Sequence, residues 1–163
     1  MKDAELRQEI EALACEEGSA ADEGRVNAIV AALIEALEAG RIRAAEPDGE
    51  GWRVNAWVKQ GVLLGFRSSD VVGYPDAGPM GFRDKQAFPP RSGESLGNVR
   101  VVPGGTAIRR GAHVADGVVL MPPAYVNVGA YVADRAMIDS HALVGSCAQI
   151  GRGVHLSAGA QIG

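Results

Sequence analysis

The sequence predicts an α+β protein: a small N-terminal helical domain followed by a left-handed parallel β-helix of hexapeptide repeats, incomplete at its C-terminus. Two observations carry the β-helix. Every sixth residue from Val102 is a branched aliphatic: Val102, Ile108, Val114, Leu120, Val126, Val132, Ile138, Val144, Ile150, Leu156 and Ile162. Counting each of these as position i, position i+4 holds a small side chain, from Thr106, Ala112 and Val118 through to Val154 and Ala160. A third observation carries the helices: upstream of residue 67 the apolar residues recur at the helical period instead.

A six-residue period is the signature of a triangular solenoid. Three hexads make one coil, each hexad giving a short strand and a turn. The aliphatic residue points into the prism and stacks on its counterparts 18 residues away, while the small residue lets the chain bend at the corner. Each buried aliphatic contributes about 1.5–3 kcal/mol, provided that neighbouring coils cover it. Coils are expected over residues 102–119, 120–137 and 138–155, with a fourth opening at Leu156 and no terminal cap in view. An uncapped last coil would present open strand edges.

Taken in order, residues 3–17 read as a first helix with Leu6, Ile10 and Leu13 on one stripe, and Gly18–Ala21 as a break. In the second helix, Val26, Ile29, Val30, Leu33, Ile34 and Leu37 mark one buried face, and Gly40 marks its end. A short strand is expected around Ile42–Ala45, followed by a turn at Pro47-Asp48-Gly49. Val58 to Phe66 form a third helix, with Trp52 and Trp57 as packing anchors; a stacking platform for a base or sugar is the alternative use of these rings. The expected divisions are residues 1–67, a connector over 68–101, and the β-helix over 102–163. Seven glycines and prolines between Gly73 and Pro90 should keep the connector free of regular structure, with Asp84 and Lys85 as surface charges.

Composition narrows the function. A net charge of −4 argues against a nucleic-acid-binding surface. The first 17 residues are charged throughout and no apolar run has membrane-spanning length, so no secretory leader or membrane span is expected. Cys15 and Cys147 have neither CxxC spacing nor companion ligands, which points to reduced thiols in a cytoplasmic protein.

The 18-residue coil also works as a surface map. It stacks His113, Tyr131 and Gln149 in one column, Asp116, Asp134 and Arg152 in another, and Arg109 under Asn127, most simply as structural ladders. The same map puts His113, His141 and His155 on three different faces, so no metal site is expected. Acyl transfer from coenzyme A to an amine is the other chemistry common on such prisms, and it needs a group to hold or take the amine proton. Asp139, outward at the corner after Ile138, is one candidate and His141 competes with it; a solvated acid on a turn is the plain alternative.

The wording of the repeat is more specific. Met121-Pro122-Pro123-Ala124-Tyr125-Val126-Asn127, Met137-Ile138-Asp139-Ser140-His141, Val144-Gly145-Ser146-Cys147-Ala148-Gln149-Ile150-Gly151 and Val154-His155-Leu156-Ser157 resemble the tetrahydrodipicolinate N-succinyltransferases. So do Gly51-Trp52-Arg53-Val54-Asn55-Ala56-Trp57 and Val62-Leu63-Leu64-Gly65-Phe66-Arg67 in the helical part. The resemblance covers nearly the whole chain. It implies succinyl transfer from succinyl-CoA, as co-substrate, to the amine derived from tetrahydrodipicolinate, on the diaminopimelate route to lysine. It also implies a cytoplasmic homotrimer with sites between adjacent prisms.

By the same resemblance, Asp139 is the catalytic and substrate-binding aspartate, and Arg100 is the substrate-binding arginine, a type suited to two-point capture of a carboxylate. His141 drops back, because Ser140-His141 stands where other members carry Thr-Trp. Cys147 becomes a small structural residue, inert when buried without a cationic neighbour. Ala133-Asp134-Arg135-Ala136 replaces a more acidic turn. The coenzyme A groove and a second catalytic acid are expected beyond Gly163, which makes a truncated enzyme the first expectation and a non-catalytic trimerising fragment the second.

Overall fold

The computed structural model describes residues 1–15, 22–74 and 81–163. The expected break at Gly18–Ala21, and residues 16–17 of the first expected helix, lie outside these residues. Three helices, α1 (Asp3–Cys15), α2 (Glu23–Glu38) and α3 (Ala56–Ser68), bury their apolar stripes against one another. Leu6, Ile10 and Leu13 of α1 meet Val26, Ile29, Val30, Leu33 and Leu37 of α2 and Val58 and Val62 of α3. Asp22 caps α2 by accepting the Gly24 amide at 3.0 Å. The helix ends as its sequence dictates: Gly40 takes φ 70, its amide bonds the Leu37 carbonyl, and the Arg41 amide reaches back to Ala36. These paired bonds satisfy carbonyls that the helix end would otherwise leave open. Helix α3 approaches closely because Gly61 has no side chain: a Cβ there would lie 2.4 Å from Leu33 Cδ2.

Between α2 and α3 runs a hairpin of β1 (Ala45–Asp48) and β2 (Gly51–Val54). The expected strand around Ile42–Ala45 is thus moved along the chain: Pro47 and Asp48 lie in the strand, and Gly49-Glu50 make the turn. Pro47 is tolerated because a two-stranded ribbon has free edges. Only one of the two expected anchors packs. Trp57 is buried, whereas Trp52 on the hairpin is 60% exposed.

Nor is the described part of the connector irregular, although Pro75, Gly78 and Pro79, three of the expected breakers, lie outside the described residues. It folds into an antiparallel hairpin, β3 (Val71–Tyr74) with β4 (Phe82–Lys85), and a 3-10 turn at Gly93–Leu96. Asp84 and Lys85 are half-buried and engaged, not free surface charges. Asp84 pairs with Arg109, and Lys85 Nζ donates to the Ser69 carbonyl at 2.6 Å.

From Arg100 the chain winds into a parallel solenoid of about four turns, the left-handed β-helix type, made of eleven two-residue strands, β5 (Arg100–Val101) to β15 (Gln161–Ile162). They stack as three sheets, in the orders β14-β11-β8-β5, β15-β12-β9-β6 and β13-β10-β7. Here β6 is Ala107–Ile108, β7 His113–Val114, β8 Val119–Leu120, β9 Tyr125–Val126 and β10 Tyr131–Val132. Likewise β11 is Met137–Ile138, β12 Leu143–Val144, β13 Gln149–Ile150 and β14 His155–Leu156. The aliphatic second residue of each strand from Ile108 to Leu156 is buried, and so are Ala112 to Ala148 at the small positions. The 18-residue stacking holds from Ala107 onward: Tyr131 pairs with His113 and with Gln149. Only the first coil is out of step. There Val101, not Val102, pairs with Leu120, and the extra residue is absorbed in the corner that contains Gly104 and Gly105.

The helical unit rests on the β7-β10-β13 face. Val128, just past β9 on the neighbouring sheet, is fully buried in the helical core instead of the prism, with Cys147 packed beside it. Arg43 lies 3.8 Å over the Tyr131 ring and donates to Gln149 Oε1 at 3.0 Å. His113 stacks beneath Tyr131 with ring centres 4.5 Å apart, and its Nδ1 donates to the Glu38 carbonyl at the end of α2. Among the described residues no helix is long and apolar enough to cross a membrane.

Candidate active site

The strand stacking decides which side chains can meet. In β5, β8, β11 and β14 the first residue points outward, so Arg100, Val119, Met137 and His155 form one column. Asp139 follows Ile138 at the corner beside that column. Arg100 and Asp139 therefore belong to one side of the prism, two strand spacings or about 10 Å apart along its axis. The Arg100 side chain is exposed and makes no hydrogen bond or ion pair with a described residue. Its guanidinium is available to a ligand.

Asp139 is half-buried and held from two sides. The Ser140 amide donates to Oδ1 at 2.7 Å, and His155 Nε2 donates to Oδ2 at 3.1 Å. Those bonds, the Ser140 amide first and His155 second, hold the Asp139 carboxyl below the usual carboxylate range. The group is an anion at neutral pH with a fixed direction. His155 was not singled out by residue type or spacing as a partner of Asp139. The signal was present, since a residue one strand further along the same column stands next to the corner that precedes it by 16 positions.

His141 occupies a corner with φ 62; its amide donates to the Pro123 carbonyl of the preceding coil at 2.6 Å. Its side chain is exposed and does not join the Asp139–His155 pair. His113 is committed to Tyr131 and Glu38 on another face. Cys147 is half-buried at a further corner, φ 65, and burial pushes its thiol up against a weaker opposite pull from Lys59. A thiol so placed is a poor nucleophile.

A hollow of about 560 Å³ opens between the β3–β4 hairpin and the first coil, lined by Tyr74, Phe82, Phe88, Ile108 and Tyr125 among others. At its wall Arg109 is 15% exposed, spans Asp84 and Asn127, and lies 5.1 Å over the Phe66 ring. This cation ties the hairpin to the prism.

Residues 5–68 match the model of the tetrahydrodipicolinate N-succinyltransferase N-terminal family. Beyond that segment, proteins named 2,3,4,5-tetrahydropyridine-2,6-dicarboxylate N-succinyltransferase align with most of the chain. The one from Cereibacter sphaeroides is 45% identical over 149 residues, which is 88% of this chain and 53% of the relative. The one from Xylella fastidiosa is 46% identical over 147 residues, covering 86% and 52%. A third, from Methylorubrum extorquens, is 38% identical over 171 aligned positions, covering 99% and 60%. The chain belongs to the tetrahydrodipicolinate N-succinyltransferase family. It spans about half the length of the curated relatives that it matches. Family membership accounts for both halves of the fold together, because the aligned region runs through the helices and the coils.

Proposed function

We propose that this chain takes part in N-succinyl transfer from succinyl-CoA to the amine derived from tetrahydrodipicolinate, on the diaminopimelate route to lysine. The observation that carries the reading is the shared side of Arg100 and Asp139. A free guanidinium and a fixed carboxylate, about two strand spacings apart, suit a dicarboxylate that also bears an amine. Arg100 would anchor a substrate carboxylate by paired hydrogen bonds. Asp139 would bind the amine and assist its attack on the thioester. Succinyl-CoA is a co-substrate in this scheme, not a resident cofactor. The working assembly is a homotrimer in the cytoplasm, with Arg100 and Asp139 facing a neighbouring prism.

The test is thiol release from succinyl-CoA with 2-aminopimelate as acceptor. Asp139→Asn should lower kcat by about 10²–10⁴-fold, the usual range for losing an acid–base group. Arg100→Ala should chiefly raise the KM for 2-aminopimelate. An unchanged rate in Asp139→Asn would remove Asp139 from the chemistry. A chain that sediments as a trimer yet neither binds coenzyme A nor turns over would instead be a trimerising module.

A further inference from the structure

The Asp139–His155 pair assigns the proton more narrowly, and this step rests on the transfer reading above. Both oxygens of Asp139 are already engaged, Oδ1 by the Ser140 amide and Oδ2 by His155 Nε2. A carboxylate so satisfied is a weak proton acceptor, and its lowered proton affinity agrees. Its neighbour has the complementary features. His155 is exposed on the outward column that runs to Arg100, and its Nδ1 makes no hydrogen bond with a described residue. With Nε2–H given to the carboxylate, Nδ1 must carry the free lone pair. Among the described residues no other charged side chain bonds either member.

We propose that His155 is the catalytic base of the transfer, and that Asp139 is the positioning residue that holds its imidazole in the Nε2–H form. The amine nitrogen forms a bond to the thioester carbonyl carbon, and the carbon–sulfur bond breaks with its electron pair leaving on sulfur. The proton lost from nitrogen goes to His155 Nδ1 and from there to the departing thiolate. Asp139 stays ionised throughout and stabilises the imidazolium, the division of labour seen wherever a buried or fixed carboxylate backs a histidine.

Two measurements decide it. In the succinyl-transfer assay, His155→Gln keeps a donor toward Asp139 but has no basic nitrogen. It should cut kcat at least about 100-fold with little change in KM and abolish the acid limb of the pH–kcat profile. If His155→Gln retains the wild-type rate and acid limb while Asp139→Asn does not, Asp139 is itself the base; the proposal falls and the transfer reading stands. If the wild-type chain, which spans about half the length of its relatives, shows no turnover, the transfer reading fails for this chain on its own, and imidazole 15N chemical shifts judge the pair. The expected result is a single Nε2–H form at His155 in the wild type that becomes a mixture in Asp139→Asn, with the exposed His141 as internal reference. A tautomer mixture at His155 in the wild type overturns the proposal.

Discussion

Asp84 shows how one charged residue can fasten a hairpin. Burial raises its pKa, but the Arg109 hydrogen bond, the Lys85 amide and the charges of Arg109 and Lys85 outweigh that and hold it below its ordinary value of 3.8. A depressed native pKa adds stability that is complete above the unfolded value and fades as pH falls through the native one. Asp84 is more than a third exposed, so solvent screening limits the gain to about 1 kcal/mol. Thermal melts of wild type and Asp84→Asn should therefore differ at pH 6–7, by about that amount, and converge as the pH falls well below 3.8. Equal melting at neutral pH would show that the clip contributes nothing.

The corner is the element that the repeat builds from. Three residues after each buried aliphatic except Leu120, where Pro123 makes the corner, the backbone enters the left-handed region, at Gly111, Gly117, Gly129, Arg135, His141, Cys147, Gly153 and Gly159. Each of these amides except that of Gly111 bonds a carbonyl of the coil before it, as Gly129 does to Gly111 at 2.8 Å. Glycine accepts that conformation freely, while other residues bear about 1–2 kcal/mol of strain. His141→Gly should accordingly raise stability by about 1 kcal/mol in denaturant titration. A destabilised variant would mean that the imidazole makes a contact of greater worth than the strain.

Much of this element was legible in the sequence. The aliphatic and small positions repeat because each fills the same place in the triangle, so the prism and its 18-residue stacking follow from spacing alone. Asp139 and Arg100 took their roles from family wording, since an acid on a corner is also an ordinary solvated residue. Three features escaped. The one-residue slip at Val101 is hidden because Val101 and Val102 are both aliphatic. The β3–β4 hairpin is hidden because Gly and Pro mark turns as readily as disorder, and Arg109, which ties it to the prism, lies far along the chain. His155 escaped because the contact is diagonal: its ring reaches back 16 positions to Asp139, off the 18-residue column.

At the scale of the whole molecule, two apolar cores lie side by side and Val128 joins them. It belongs to the solenoid by sequence and to the helices by burial. Replacing it with aspartate sets a charge against Cys147 and the helical core, where an unpaired charge is strongly disfavoured. Val128→Asp should loosen the helical unit while leaving the stacked coils standing. Helical ellipticity would then be lost at a lower temperature than the β signal, where the wild type loses both together. A single coincident transition in Val128→Asp would show that the two cores do not communicate through this residue.

The unequal burial of the two tryptophans makes the protein its own optical gauge. Trp57 is 7% exposed in the helical core and Trp52 is 60% exposed on the hairpin, and the solenoid contains no tryptophan. Intrinsic emission thus comes from a blue-shifted and a red-shifted source, both upstream of the coils. Melting of the helical core will shift the blue component, and unwinding of the prism will leave that component in place. Arg43 lies 5.9 Å over the Trp52 ring and 3.8 Å over Tyr131, which gives the remaining red component a use. Its quenching follows whether the hairpin still touches the β-helix, in a label-free readout that a stopped-flow instrument can time.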